Sequence, residues 1–196
     1  MPVDRRDLRR RLFAVAAEQG GYFTAAQAKE VGYSYQAQAH HVGAGNWHRV
    51  ERGLFRLTEW VPQEHDDLAR WTLWSQGQGV VSHETALSVH AIGEFESART
   101  CLTVPPDFTP RDAAVRLHHG DLPPDDIQAG AGFRVTTPLR SLVDVAATAD
   151  EDQLARAIAE AAERGLLTIR LLRKRAEAVD ARAALRIERA LDRSEA

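Results

Sequence analysis

Two short helical runs joined through a glycine, followed at once by two short strands around another glycine, constrain this chain more than any other feature. Thr24 precedes a run from Ala25 to about Val31, and its hydroxyl is placed to accept from the amides that a helix start leaves without partners. Gly32 permits a sharp turn, and Ser34 opens a second run reaching about Val42. Two short helices joined in this way are a helix-turn-helix pattern. Gly43 and Gly45 end the second helix. Trp47–Val50 and Leu54–Leu57 then read as strands, with Glu51-Arg52-Gly53 as the turn and Gly53 supplying its positive φ. Upstream, Asp4 to about Gln19 carries Leu8, Leu12, Phe13, Val15 and Ala16 at helical spacing and stops at Gly20-Gly21. A hairpin directly after a helix-turn-helix is a wing, so residues 1–61 are expected to form a winged helix-turn-helix domain.

The second helix of the pair should turn Tyr35, Ala39 and Val42 inward and Ser34, Gln36, Ala37, His40 and His41 outward. That outward face is small, polar and almost free of carboxylates, which suits a major groove. Cations flank it. Arg49, Arg52 and Arg56 fall on the hairpin, and Arg5, Arg6, Arg9, Arg10 and Arg11 on the first helix, where they could meet phosphates. The candidate contacts to double-stranded DNA are therefore Ser34, Gln36, His40, His41, Arg49, Arg52, Arg56, Arg9 and Arg10. Trp47, Phe55 and Leu57 read as core of this small domain. His40 and His41 are adjacent and point about 100° apart on a helix, a poor arrangement for one metal. The same fold can also serve protein contact alone.

Charge divides the chain in the same place. Residues 1–61 hold 9 Lys/Arg and 6 Asp/Glu, whereas residues 62–150 hold 6 and 13. A basic first third beside an acidic middle suggests that the first part approaches a polyanion. The single cysteine, Cys101, excludes an internal disulfide and a cysteine-based metal cage. No run approaches the roughly 20 apolar residues of a membrane span, and the apolar part of the N-terminus is short and broken by Glu18, unlike a signal peptide. A cytoplasmic protein without membrane contact is expected.

Beyond Pro62, Asp66 to about Gln76 reads as a helix, and Ser82 is placed to cap another through about Ile92. The histidines of the second, His83 and His90, are seven apart, against the four a helical zinc motif needs, so no metal and no cofactor is expected. Cys101–Val104, Val115–His119 and Phe133–Thr136 lean to strand. Gly130-Ala131-Gly132 lacks the Gly-Lys-Ser/Thr of a phosphate loop. Thr137-Pro138 marks a helix start, and the chain is expected to be helical from about residue 138. Arg140 and Asp144, four apart, read as a surface ion pair, and Asp144 has no partner pattern for acid–base catalysis. Arg170, Arg173, Lys174 and Arg175 form a local basic patch.

The run GYFTAAQAKEVG and then GNWHRVERGLFRL resembles the N-terminal winged-helix domain of AbiEi-type antitoxins. VVSHETALSVHAIGE, CLTVPP, VRLHHG and FRVTTPLRSLVDVA resemble the C-terminal antitoxin region of that family, so the likeness spans about residues 8–170. It implies an α+β chain: a winged-helix DNA-binding domain at 1–61 and a mixed α/β antitoxin domain at 66–196. It further implies a bacterial phage-defence, toxin–antitoxin operon. The winged helix would repress that operon at its operator, and the C-terminal region would neutralise a cognate nucleotidyltransferase toxin. Arg170, Arg173, Lys174 and Arg175 are then candidates for toxin contact. No enzymatic activity is implied, and the Asp…Glu-x-Lys arrangement of the nuclease domain carried by some relatives is not found. The rival readings are a stand-alone repressor without a toxin partner and a nuclease using His83, Glu84 and Asp144.

Overall fold

The structure is a computed structural model that describes residues 4–194. It is mixed α+β and divides into two compact units. One runs to Gln78 and takes in Ala129–Phe133. The other comprises Gly79–Gln128 and the chain from Arg134 onward.

The first unit contains α1 (Arg5–Ala17), β1 (Tyr22–Thr24), α2 (Ala25–Val31), α3 (Tyr35–Gly43), β2 (Trp47–Glu51), β3 (Leu54–Leu57) and α4 (Asp66–Trp74). Each of the first three helices starts at a polar cap. Asp4 accepts from the Arg6 amide, Ser34 from the Ala37 amide, and Thr24 forms a reciprocal capping box with Gln27. The strands make an antiparallel sheet in the order β1-β3-β2. Its middle strand turns Phe55 onto Phe23 and Trp47, which with Leu12, Ala16, Ala28, Val31 and Tyr33 form one core. Gly21 permits a close approach there, because a Cβ at this φ of +82° would lie 2.3 Å from Trp60 Cγ.

This unit reaches beyond residue 61 because Asp66, at the start of α4, ties back into it. Its Oδ2 accepts from the Arg56 guanidinium (2.9 Å), the Trp60 indole (2.8 Å) and the Gln63 amide (2.7 Å).

The second unit contains β4 (Val80–Val81), α5 (His83–Val89), β5 (Thr100–Val104), β6 (Val115–His119), β7 (Ile127–Ala129, all but its last residue) and β8 (Arg134–Thr136), then α6 (Pro138–Ala146), α7 (Glu151–Glu163), α8 (Ile169–Val179) and α9 (Ala181–Ser194). The strands order as β6-β5-β4-β8-β7, with β4 antiparallel to β5 and parallel to β8. Thr137 caps α6 ahead of Pro138, and Thr168 caps α8. The helices α5–α9 share a core that includes Leu87, Ile92, Leu142, Leu154, Ile158, Leu172 and Ile187.

Two expectations are corrected in this unit. Ser82 makes no capping bond to α5, which ends at Val89; its Oγ lies 3.0 Å from His83 Nδ1 instead. Arg140 and Asp144 are not a surface pair, for their side chains are 12% and 5% exposed. Among the described residues, no helix is long and apolar enough to cross a membrane.

Candidate nucleic-acid interface

The rotation of α3 decides which of its residues meet solvent. Gln38 is buried, and its amide donates to the Ala25 carbonyl at 3.0 Å and the Tyr33 carbonyl at 3.1 Å. A buried amide satisfied on both N–H groups packs like a core residue. With Gln38 inside, Tyr35, Gln36, Ala39 and His40 face outward, and Tyr35 is 65% exposed. The expected inward placement of Tyr35 and Ala39 is therefore corrected, while Val42 lies half-buried. Ser34 and Ala37 flank the outward face. His41 is half-buried, with its ring stacked on Trp47 (4.8 Å, 14°) and its Nδ1 3.2 Å from the Asn46 amide. Burial, aided by the neighbouring His40, lowers its pKa below the usual histidine range. No residue from Ser34 to Asn46 carries a carboxylate.

The flanking cations fall into two groups. Arg52 is exposed at the hairpin turn, and Arg49 is exposed above Phe55. Arg56 is turned into the unit, over the Tyr22 ring and onto Asp66. On α1, Arg9 and Arg10 project into solvent, 72% and 82% exposed, and pair with Glu59 and Asp7. Between α1 and α3 runs a groove of about 740 Å³, lined by Arg5, Arg9, Tyr33, His40, His41 and Trp47 among others, with Glu59 its one acidic residue. The groove thus brings Ser34, Ala37, His40 and His41 of α3 together with Arg5 and Arg9 of α1, while Tyr35, Gln36 and Ala39 lie outside it.

The second unit treats its charged groups differently. Arg175 and Arg140 both bind the buried Asp126, and Arg140 Nε bonds Asp144 Oδ1 at 2.7 Å. Burial outweighs the Arg140 guanidinium and raises the Asp144 carboxyl to about 6. The rings of His83 and His118 stack at 3.4 Å, and burial pushes His83 down to about 3. Glu84 accepts from the Cys101 thiol at 3.3 Å and lies 3.6 Å from Arg116. His90 is elsewhere, 2.7 Å from the Thr136 carbonyl.

His83, Glu84 and Asp144 therefore each have separate partners, and no group of three or more metal-ligating side chains occurs among the described residues. The basic patch on α8 is divided too. Arg175 is half-buried on Asp126, and Arg173 is exposed but pairs with Glu188; Arg170 and Lys174 are the patch's other exposed members. His118 and Asp126 were not foreseen, since neither stands at a spacing that marks it.

The fold is similar to that of a solved protein. It superposes on the crystal structure of the RV2827C protein from Mycobacterium tuberculosis with a TM-score of 0.64, at 12% identity, over 94% of this chain and 76% of that one. Residues 10–58 match the model of the family described as transcriptional regulator, AbiEi antitoxin. Over that segment, which carries α2, α3 and the hairpin, the chain is similar to antitoxin-type transcriptional regulators. No curated protein matches it.

Proposed function

We propose that the first unit is a winged helix that binds double-stranded operator DNA, and that the chain is an antitoxin repressing its own operon in the bacterial cytoplasm. In this reading α3 enters the major groove. Arg49 and Arg52 on the hairpin and Arg9 and Arg10 on α1 hold phosphates. Arg56 supports the hairpin from within. The second unit neutralises a cognate nucleotidyltransferase toxin, with Arg170 and Lys174 the exposed cations available to an acidic toxin surface, and no catalysis is assigned to it. The observation that carries the reading is the carboxylate-free outward face of α3, set beside exposed arginines within the segment that matches the regulator family.

The test is binding of the full chain to the DNA upstream of its own coding sequence, titrated against salt with an unrelated duplex as control. Specific binding that falls steeply with salt is expected, because neutralised phosphates release counterions. Equal affinity for both duplexes overturns autorepression. For the second half, co-expression with an adjacent nucleotidyltransferase should restore growth that the transferase alone arrests. Growth arrest unchanged by co-expression removes the toxin-neutralising role and leaves a stand-alone repressor.

A further inference from the structure

The outward face of α3 is selective in what it lacks. In the major groove guanine is read by Arg or Lys, cytosine by a carboxylate, adenine by Asn or Gln, and the thymine methyl by apolar contact. The helix Tyr35–Gly43 contains no Arg, Lys, Asp or Glu. Of its two glutamines, Gln38 is held in the core by two backbone carbonyls, so Gln36 is the one amide left facing outward. Tyr35 and Ala39, one turn apart, form an exposed apolar row beside the Gln36–His40 row. The Lys29 ammonium lies 5.4 Å from the centroid of the Tyr35 ring and so helps to hold that exposed ring in place.

Resting on the DNA-binding reading above, we infer that α3 reads an A·T step: Gln36 pairs with the adenine edge, and Tyr35 and Ala39 pack against thymine methyl groups. From α3 itself, G·C pairs at the same positions meet neither an Arg or Lys for guanine nor a carboxylate for cytosine, and the nearby Lys29 is engaged on the Tyr35 ring. Tyr35 and Ala39 thereby become specificity-determining residues, and the duplex class the protein selects is one with A·T pairs under the first turns of α3.

The test leaves the protein unchanged and edits the DNA. Selection from a random duplex pool with the full chain defines the preferred sequence, and footprinting locates the pairs under α3. Those thymines are then replaced one at a time by deoxyuridine, which removes only the methyl, and those adenines by 7-deazaadenine, which removes the N7 acceptor. Losing a contacted methyl should weaken binding about fourfold, the equivalent of roughly 0.8 kcal/mol. Losing N7 should weaken it about fivefold or more. Tyr35→Ala should abolish the response to deoxyuridine at one thymine while Tyr35→Phe retains it, and Gln36→Ala should abolish the response to 7-deazaadenine. Both side chains are exposed, so melting curves of these variants should match that of the parent. Selected sites with G·C pairs under α3, or binding indifferent to deoxyuridine, overturn the inference and leave DNA binding intact. A pool that yields no preferred sequence overturns the DNA-binding reading itself, and the inference with it.

Discussion

The two units differ in how they deploy charge: the first turns Arg56 inward onto Asp66 but keeps the arginines of α1 and the hairpin turn outside. Its buried polar side chains are few, and Gln38 and Ser75 are neutral. In the second, Asp126 is buried beneath Arg140 and Arg175, Asp144 lies beside them, and two imidazoles stack in a half-buried site. Outward cations are available to a polyanion, whereas inward ones are committed to holding α6, α8 and the turn just before β7 in one arrangement. The contrast teaches that net charge is a poor guide to binding: what counts is which charges keep their hydration in the free protein.

The largest effect should come from breaking the interior of the second unit. Asp126→Ala leaves Arg140 and Arg175 without their shared carboxylate, and removing one partner of a buried pair costs about 3–5 kcal/mol. Chemical denaturation should register that loss, while operator affinity stays near that of the parent. If stability changes by less than 1 kcal/mol, the network is not holding the unit.

Acid should act on the same region. In the unfolded chain the His83 imidazole takes up a proton near 6.5, but in the folded chain it does so only near 3. The unfolded state therefore binds the extra proton as pH falls, and stability drops by roughly 2 kcal/mol between pH 7 and pH 5. His90 and His118, also held low by burial, act in the same sense. Asp144 opposes them. With its carboxyl raised from 3.8 to about 6, the folded state gains the proton first, offsetting about 1.4 kcal/mol over that window. Melting temperatures against pH should thus fall more steeply in Asp144→Asn and less steeply in His83→Gln.

A smaller effect is expected in the first unit. Gln38→Ala removes two buried hydrogen bonds to backbone carbonyls and should cost about 1–2 kcal/mol, weakening all DNA sequences alike, since it loosens α3 without touching the outward face. The smallest change should follow from Arg52→Ala, which lowers affinity evenly across sequences and reduces the slope of log affinity against log salt by about 1. An unchanged slope would show that the hairpin arginine meets no phosphate.

Much of this was legible from residue type and order. Thr24, Ser34 and Thr137 cap the helices they precede, and Gly53 turns the hairpin at φ +78°, because caps and tight turns depend mostly on local chemistry; Ser82, drawn to His83 instead, is the exception. The rotation of α3 was not legible. Its fate depends on whether Gln38 finds acceptors inside the unit, and those acceptors are backbone carbonyls at Ala25 and Tyr33, invisible as side-chain types. Likewise the i, i+4 spacing of Arg140 and Asp144 gives their contact but not their burial, which Asp126 and Arg175 impose from distant segments. β1, β4 and β7 have two or three residues each, too few for an alternating pattern to register.

One of those short strands bears on how the protein is made. β4 is only Val80–Val81, yet it stands at the centre of the five-stranded sheet, and its parallel neighbour pairs through Val135. A chain emerging from the ribosome must therefore carry its central strand exposed along one edge until more than fifty further residues have been added. Closing so long a loop before the sheet can knit is entropically slow. Until then the edge of β4 that will meet β8 is open to pairing with another chain.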